Sequence, residues 1–279
     1  MNSKYAPIGV FDSGVGGLTV AKEIMRQLPN EQIVYFGDTA RVPYGGKSKE
    51  TITKYTKQII RFLQTYDVKA IAIACGTASA CSLEEVEKEL DIPIIGVLKP
   101  GSEVAVDKTR NNRIGVIATE SSIHSGMYQK YIREINNQIQ VFAKACPLFV
   151  PLVEEGLWED PVTTEIARRY LQELKEQDVD TLILGCTHYP LLIKTIGEVM
   201  GDDVTLVNLA YETAADLKKL LESRGLLNMT AIEDYEVNHR FFVSDVADKF
   251  RSFAESILSD VNFLTDTPFI TKQINIEAF

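Results

Sequence analysis

The sequence lacks the long apolar runs and the basic charge that would point to a membrane or to nucleic acid. No apolar stretch among its 279 residues approaches the roughly 20 residues that cross a bilayer, and its beginning lacks the basic and apolar regions of a signal peptide. Acidic residues (39) outnumber basic ones (29), and no basic stripe is available to meet a phosphate backbone. We therefore expect a cytoplasmic protein that binds neither a membrane nor nucleic acid.

Cysteine and histidine are scarce, with four and three residues respectively, and neither type forms a metal or redox motif. The cysteines, at positions 75, 81, 146 and 186, include no close C-x-x-C pair, and Cys186 with His188 lacks the local cluster that a zinc site needs. Disulfides are not expected in a reducing compartment. The glycine-rich DSGVGG at 12–17 matches neither GxGxxG nor GxxxxGK[ST]. These absences predict that the protein needs no metal and no nucleotide.

Apolar runs alternate with amphipathic segments, which predicts an α/β protein with mostly parallel sheets flanked by helices. The runs are continuous, as expected for strands that are covered on both faces. The predicted strands are 8–11, 33–36, 70–74, 94–97, 113–118, 139–143, 181–185, 204–207 and 239–244. Helices are predicted at about 17–28, 49–66, 76–90, 122–135, 161–177, from 191, at 211–221 and at 246–258, and the segment 146–156 is predicted as a loop.

The two halves of the chain resemble each other. The tripeptide IGV at 8–10 lies 106 positions before IGV at 114–116, and Cys75 lies 111 positions before Cys186, so the similar offsets indicate a diverged internal repeat. The last stretch is too short for a core of its own, and we expect it to return to the first half. This predicts two pseudo-symmetric α/β domains, 1–98 with 210–279 and 99–209, with the active site in the cleft between them.

Cys75 and Cys186 are the candidate catalytic residues, because each follows a predicted buried strand and begins a helix. Unpaired N–H groups and the dipole at a helix amino terminus stabilise a thiolate and can hold a carboxylate, and Thr77 and Thr187 add hydroxyl groups nearby. A free cysteine is more often a core residue, which is our interpretation of the other two. For this pair, the coincidence across the repeat favours a catalytic role.

Two opposed thiols suit a proton transfer at one carbon atom. Inverting an amino acid needs a base that removes the α-proton on one face and an acid that returns a proton on the other, and a thiol near its ordinary pKa can take either role. Asp12 is interpreted in three ways: as a partner of a substrate ammonium group, as a group that polarises Cys75, or as a plain helix cap. His188 is a candidate to assist Cys186.

The remaining residues of these stretches receive simpler interpretations. Ser13 lies at a strand end, and the glycines of DSGVGG let the backbone approach a small ligand. His124 and His239 are predicted to be ordinary surface or loop residues.

Five motifs, in the order FDSGVGGLTV, DTARVPYG, ACGTASA, PLVEEG and GCTHYPLL, resemble those of the glutamate racemases within the aspartate/glutamate racemase superfamily. The resemblance extends from about residue 8 to residue 211. It implies a cofactor-independent isomerase that interconverts L- and D-glutamate with two cysteines and supplies D-glutamate for peptidoglycan synthesis. It also implies two pseudo-symmetric α/β domains and a homodimer.

The resemblance implies roles for individual residues as well. Cys75 would deprotonate the D-enantiomer and Cys186 the L-enantiomer, with Asp12, His188 and Glu154 supporting the two thiols. The implied substrate contacts are Asp12, Ser13, Tyr44, Gly45, Gly76, Thr77, Ser122, Thr187 and His188.

Gly76 departs from the resemblance, because the family usually has asparagine after the first cysteine. A lost hydrogen bond to a charged ligand weakens binding by about 1.5–3 kcal/mol, so we expect Gly76→Asn to tighten glutamate binding. Ser122 replaces a usual threonine but keeps the hydroxyl group.

Three alternatives remain open from the sequence. The same chemistry on another acid, such as aspartate, depends on the size of the cleft. A two-domain sensor of acidic ligands would make the cysteines incidental. A regulatory protein that binds a partner would keep its activity after both thiols were replaced by serine.

Overall fold

The structure is a computed structural model, and it describes residues 3–230, 237–245, 247–259 and 271–279. Its strands are β1 (Ile8–Asp12), β2 (Ile33–Gly37), β3 (Ala70–Ile73), β4 (Ile94–Gly96), β5 (Arg113–Ala118), β6 (Gln140–Ala145), β7 (Thr181–Leu184), β8 (Thr205–Asn208), β9 (Arg240–Val243) and β10 (Thr271–Gln273). Its α-helices are α1 (Leu18–Gln27), α2 (Lys49–Gln64), α3 (Gly76–Val86), α4 (Leu98–Lys108), α5 (Glu120–His124), α6 (Met127–Ile135), α7 (Phe149–Glu154), α8 (Pro161–Glu176), α9 (Ile193–Met200), α10 (Leu209–Ser223) and α11 (Ala247–Leu258). Short 3₁₀ helices occupy Glu87–Glu89, Tyr189–Leu192 and Ile276–Ala278.

The strands form two parallel sheets with the same internal order. The first sheet has the order β10-β9-β2-β1-β3-β4 and the second has the order β6-β5-β7-β8, and every pairing is parallel. In each half the first strand therefore lies between the second and the third, with the fourth beyond the third. This arrangement confirms the predicted α/β fold with two pseudo-symmetric sheets.

Burial explains why the central strands are continuous apolar runs. All residues of β1, β3 and β7 are buried, whereas the edge strand β6 is mostly half-buried. Strands covered by helices on both faces have no solvated face that would select alternating polar residues. One hydrophobic cluster joins the halves, since it contains Val10 of the first sheet, Val116 of the second and Leu217 of α10.

After β8 the chain returns to the first sheet through α10, which packs against α1. A buried ion pair fixes this return: Lys69 Nζ lies 2.5 Å from Glu31 Oε2 and donates to the carbonyl of Leu226 at 2.8 Å. Glu31 in turn accepts from the backbone N–H of Asn228 at 2.9 Å. We propose, with this strand distribution as support, that residues 99–209 form a domain inserted between 1–98 and 210–279.

The structure corrects several predicted elements. The predicted helix at 122–135 is two helices, because Gly126 adopts a left-handed conformation (φ 67°) between α5 and α6. The segment 146–156, predicted as a loop, contains α7. Helix α4 was not predicted, because Pro100 and Gly101 interrupt its pattern. Pro100 lies in the first turn, where a backbone N–H has no partner within the helix, so it does not prevent helix formation.

The carboxyl-terminal predictions differ in smaller ways. The predicted strand 239–244 is observed as β9, and residue 246 of the predicted helix 246–258 lies outside the described residues. Strand β10 was not predicted; it lies at the edge of the first sheet and pairs in parallel with β9.

Candidate active site

The carboxyl ends of both sheets contribute to one cavity of about 440 Å³. In open parallel sheets, ligands bind at this end of the strands, and a volume of this size is typical of small-molecule sites. Eleven of the predicted site residues line the cavity: Asp12, Ser13, Tyr44, Gly45, Cys75, Gly76, Thr77, Glu154, Cys186, Thr187 and His188. The two candidate cysteines therefore face a common space.

Cys75 follows β3 directly and is the N-cap residue of α3. Its sulfur accepts a hydrogen bond from the backbone N–H of Ala78 at 3.4 Å, and its thiol donates to Ser13 Oγ at 3.4 Å. Burial raises the pKa of the Cys75 thiol to about 12, and the nearby carboxylate of Asp12 adds to this shift. At neutral pH this group is a protonated thiol that can give up a proton to a carbanion.

Cys186 follows β7 in the corresponding place, but its surroundings differ. Its sulfur lies 3.7 Å from His188 Nδ1, and His188 Nε2 lies 3.2 Å from Glu154 Oε1. Burial lowers the pKa of His188, but hydrogen bonds with Cys186 and Glu154 and the charges of Cys186 and Asp12 outweigh it and raise this pKa to about 10. An imidazolium at this position stabilises negative charge on the sulfur.

The structure shows what Asp12 contacts at the end of β1. Helix α1 begins at Leu18 with Gly17 as its N-cap residue, whose side chain makes no capping bond. The carboxylate of Asp12 accepts from the backbone N–H of Gly14 at 2.9 Å and from that of Gly17. Burial raises the pKa of Asp12 above its ordinary value, and the charge of His188 opposes the shift.

Three hydroxyl groups form a cluster beside the first cysteine. Thr119 Oγ1 lies 2.9 Å from Thr77 Oγ1 and 2.9 Å from Ser122 Oγ. Ser122, a predicted substrate contact, is 1% exposed and does not line the cavity, so it supports Thr77 and Thr119 from behind. Thr119 does line the cavity, and the sequence interpretation missed it.

The repeat itself carried a signal for Thr119. With the offset of 106 positions, Ser13 at the end of β1 corresponds to Thr119 at the end of β5. Both residues place a hydroxyl group directly after the first strand of their half.

Hydrogen bonds between the two halves close the structure around the cavity. Ser121 Oγ donates to the carbonyl of Gly45 at 2.6 Å, and Thr19 Oγ1 donates to the carbonyl of Thr187 at 2.9 Å. Each bond joins a residue of one half to a residue of the other. Such closure excludes water from the site and strengthens electrostatic interactions inside it.

Gly76 lies in the cavity wall, and its surroundings argue against the expectation that asparagine here tightens binding. A Cβ atom at this position would lie 2.8 Å from the backbone carbonyl oxygen of Gly185 on the other half. A backbone atom cannot move aside as a flexible side chain can, so a larger residue would force the halves apart.

We therefore expect Gly76→Asn to weaken glutamate binding rather than tighten it. Overpacking costs about 1–3 kcal/mol, which corresponds to a KM raised by roughly 5- to 150-fold. Steady-state kinetics of Gly76→Ala and Gly76→Asn test this. A KM at or below that of the unchanged protein in both variants would contradict the steric argument.

His124 and His239 differ in burial. His124 is exposed, as predicted. His239 is a loop residue, as predicted, but it is half-buried, and its Nδ1 accepts from the backbone N–H of Ile33 at 3.2 Å. Its role is structural, because this bond ties the beginning of β9 to β2. Burial lowers the pKa of His239 to about 4.

A second cavity, of about 560 Å³, adjoins the first and shares Gly14, Val42 and Glu154 with it. Aromatic side chains, including Trp158 and Phe253, form part of its wall. Neither candidate cysteine lines it, so the chemistry belongs to the smaller cavity.

The described part of the chain contains no group of three or more His, Cys, Asp or Glu side chains placed to hold a metal ion. None of its helices combines the length and the apolar character needed to span a membrane.

Comparison with known proteins places the chain in a family. The profile of the Asp/Glu/Hydantoin racemase family matches residues 8–214. A glutamate racemase from Geobacter metallireducens is 52% identical over 242 residues, covering 87% of this chain and 88% of that protein.

Solved structures agree with this assignment. Glutamate racemase isoform RacE1 from Bacillus anthracis superposes with a TM-score of 0.91 at 39% identity, covering 97% of this chain and 98% of that one. The glutamate racemase of Francisella tularensis, solved in complex with D-glutamate, gives 0.89 at 38% identity and covers 99% and 100%. With a profile match over most of its length and relatives of this similarity, the chain belongs to the Asp/Glu/Hydantoin racemase family.

Proposed function

We propose that this protein is a glutamate racemase that uses Cys75 and Cys186 as its two acid/base groups. The observation that carries the proposal is the placement of both sulfurs. They follow corresponding strands, β3 and β7, in two sheets of the same order, and they line one cavity. A reaction that removes a proton from one face of a carbon and returns one to the other requires such a pair.

In the direction from L- to D-glutamate, the Cys186 thiolate removes the α-proton and becomes a thiol. The electron pair of the broken C–H bond stays on the substrate as a carbanion that is delocalised into the α-carboxylate. The Cys75 thiol then donates its proton to the opposite face and becomes a thiolate. The imidazolium of His188, held by Glu154, stabilises the starting thiolate.

In the reverse direction the Cys75 thiolate is the base. Its high pKa when protonated makes it a strong base once the proton has left. The buried carboxyl group of Asp12, whose own pKa is raised, is a suitable partner for a substrate ammonium group or for the proton of Cys75. Resetting the enzyme between turnovers moves one proton between the two thiols through these groups and solvent.

The substrate carboxylates are held by backbone N–H groups and hydroxyl groups. The first turn of α3 offers unpaired N–H groups at Gly76 and Thr77, and the hydroxyls of Ser13, Thr77, Thr119 and Thr187 lie on residues of the cavity wall. No pyridoxal phosphate, metal or nucleotide takes part in this scheme. The scheme relies on a closed cavity, because a carbanion next to a carboxylate needs preorganised electrostatic support.

We propose glutamate and not aspartate as the substrate, because the similar proteins are glutamate racemases. The protein from Geobacter metallireducens is named a glutamate racemase, and that from Francisella tularensis was solved with D-glutamate bound. We extend this to D-glutamate supply for peptidoglycan synthesis and cell wall biogenesis. With four free thiols as support, we propose a cytoplasmic location, and from the family resemblance we propose a homodimer.

Incubation with L-glutamate in deuterated water tests the function. We expect optical activity to decay to zero while deuterium enters the α-carbon, because the returning proton comes from a thiol that has exchanged with solvent. A parallel incubation with L-aspartate distinguishes the substrates, and Cys75→Ser/Cys186→Ser is the control. Faster exchange of aspartate would make the protein an aspartate racemase, and exchange of neither acid would favour a sensor or a regulatory protein.

A further inference from the structure

We infer that Arg41 is a positioning residue for glutamate binding and that Glu277, near the carboxyl end of the chain, acts on the site through it. The inference rests on the proposed function, because it concerns how the substrate is held. It involves the segment 41–46, which we name the substrate loop. Four consecutive loop residues after Val42, namely Pro43, Tyr44, Gly45 and Gly46, line the cavity together with Val42 itself.

Arg41 begins the loop and is buried in a polar socket. Its Nε donates to Asp38 Oδ2 at 2.7 Å, and its Nη1 donates to Gln58 Oε1 at 2.6 Å. The guanidinium also lies 3.9 Å from the ring centroid of Tyr55. A planar guanidinium suits such a socket, because it makes several hydrogen bonds in fixed directions and stacks on an aromatic ring.

Asp38 transmits the position of Arg41 to the loop. It is fully buried, and the same Oδ2 atom that Arg41 contacts also accepts from the hydroxyl of Tyr44. Its Oδ1 accepts from Ser244 Oγ at 2.9 Å. Without Arg41 this carboxylate would be a buried charge with no cation beside it, which is strongly destabilising. The carboxylate of Asp38 would then no longer be held in one position for the hydroxyl of Tyr44, and the substrate loop would be less firmly anchored.

Glu277 supplies a second carboxylate from the far end of the chain. Its Oε1 lies 3.1 Å from Arg41 Nη1, and its Oε2 accepts from Gln58 Nε2 at 3.4 Å. The last residues are held in place by Ile276, which is buried, and by Phe279, whose ring packs edge-on to Phe62 at 5.3 Å. The segment 276–279 therefore packs against the socket that fixes the substrate loop.

The two carboxylates contribute unequally. The side chain of Asp38 is 0% exposed and that of Glu277 is 61% exposed. Solvent screens an exposed ion pair, which is worth little by itself. Loss of Glu277 should therefore remove one weak interaction of Arg41, whereas loss of Arg41 removes every hydrogen bond that the guanidinium makes with Asp38 and Gln58.

The effect should fall on substrate binding and not on the chemical step. The loop contributes cavity wall, whereas the sulfurs form hydrogen bonds with Ser13, Ala78 and His188, which lie on other segments. Wall contacts of this kind act equally on the bound substrate and the transition state. Their loss raises KM and leaves kcat almost unchanged.

The test compares Arg41→Met, Arg41→Lys and Glu277→Gln by racemisation kinetics. We expect Arg41→Met to raise KM for both enantiomers by about tenfold with kcat within about threefold, and Glu277→Gln to raise KM by about twofold to threefold. Arg41→Lys should lie between them, because the ammonium keeps the charge but not the directional bonds. In the Arg41→Met background, Glu277→Gln should add nothing further.

Glu85→Gln is the matched control. Glu85 is also an exposed carboxylate (49%) paired with a side chain of α2, Lys57 at 2.7 Å, but it has no contact with the socket. Its KM should equal that of the unchanged protein. If Arg41→Met does not fold, the KM of Glu277→Gln alone tests the inference.

Three outcomes would overturn the inference. They are an unchanged KM in both Arg41→Met and Glu277→Gln, a loss of kcat that matches the loss of kcat/KM, and an effect of Glu277→Gln that persists without Arg41. An unchanged protein that does not racemise glutamate overturns the proposed function, and this inference with it. If the unchanged protein racemises glutamate and the Arg41 and Glu277 variants have the same KM as it does, only the inference is overturned.

Discussion

Cys75→Ser and Cys186→Ser each lower kcat for glutamate racemisation by about 10³-fold or more, within the range that general acid–base groups supply. Serine has nearly the shape of cysteine, but its hydroxyl is a far weaker acid than a thiol, so neither proton transfer proceeds well. The fold should survive, because the Cys75 sulfur makes weak hydrogen bonds, such as those with Ser13 and Ala78, that a hydroxyl group can also make. Polarimetry of the purified variants measures the loss, and their circular dichroism confirms folding.

Cys81→Ser is the matched control for these variants. Cys81 is a free, half-buried cysteine in the middle of α3, the helix that Cys75 caps, but it does not line the cavity. Its replacement should leave turnover unchanged. Near-normal turnover by either Cys75→Ser or Cys186→Ser would contradict the two-thiol assignment.

His188→Gln is expected to have the next largest effect, a fall in kcat of about 10²-fold, at the lower end for an acid–base or orienting group. The variant removes the imidazolium beside Cys186 and with it the contact between the ring and the Glu154 carboxylate. Glu154→Gln should cost less, because His188 remains in contact with the sulfur. Steady-state kinetics at pH 8 compares the three proteins, and equal rates for His188→Gln and the unchanged protein would contradict the role of the cation.

The same residue sets a pH dependence of stability. The pKa of His188 is about 10 in the folded protein and about 6.5 in an unfolded chain. A raised pKa means that the folded state binds the proton more tightly, so the stabilisation is complete below about pH 6.5 and is lost as pH rises towards 10. We expect the free energy of unfolding to fall over this range in the unchanged protein relative to His188→Gln. Parallel curves for the two proteins would contradict this.

The sequence predicted the site better than the contacts between the two halves. Cys75 and Cys186 were found because a repeat and two buried strands are local patterns, and both are readable without coordinates. The hydroxyl of Thr119 was available through the same repeat but was not extracted from it. Gly76 was misjudged because the decisive distance, to the carbonyl of Gly185, joins residues 109 positions apart.

Two other features, helix α4 and the socket of Arg41, were also not predicted from the sequence. The proline and glycine of α4 disguised a helix whose first turn tolerates both. The socket of Arg41 assembles residues 38, 58 and 277, and no spacing in the sequence indicates that these residues meet. Local periodicity determines elements, whereas packing between distant segments determines such sockets.

The substrate isotope effect in the two cysteine variants tests the central claim most directly. A variant with a weakened base removes the α-proton more slowly, so that this step limits the rate more strongly. Glutamate that carries deuterium at the α-carbon reports this as a larger isotope effect. Cys186→Ser should then show the larger isotope effect on L-glutamate, and Cys75→Ser the larger effect on D-glutamate. Isotope effects that favour the same enantiomer in both variants would contradict a mechanism in which each sulfur serves its own face of one carbon.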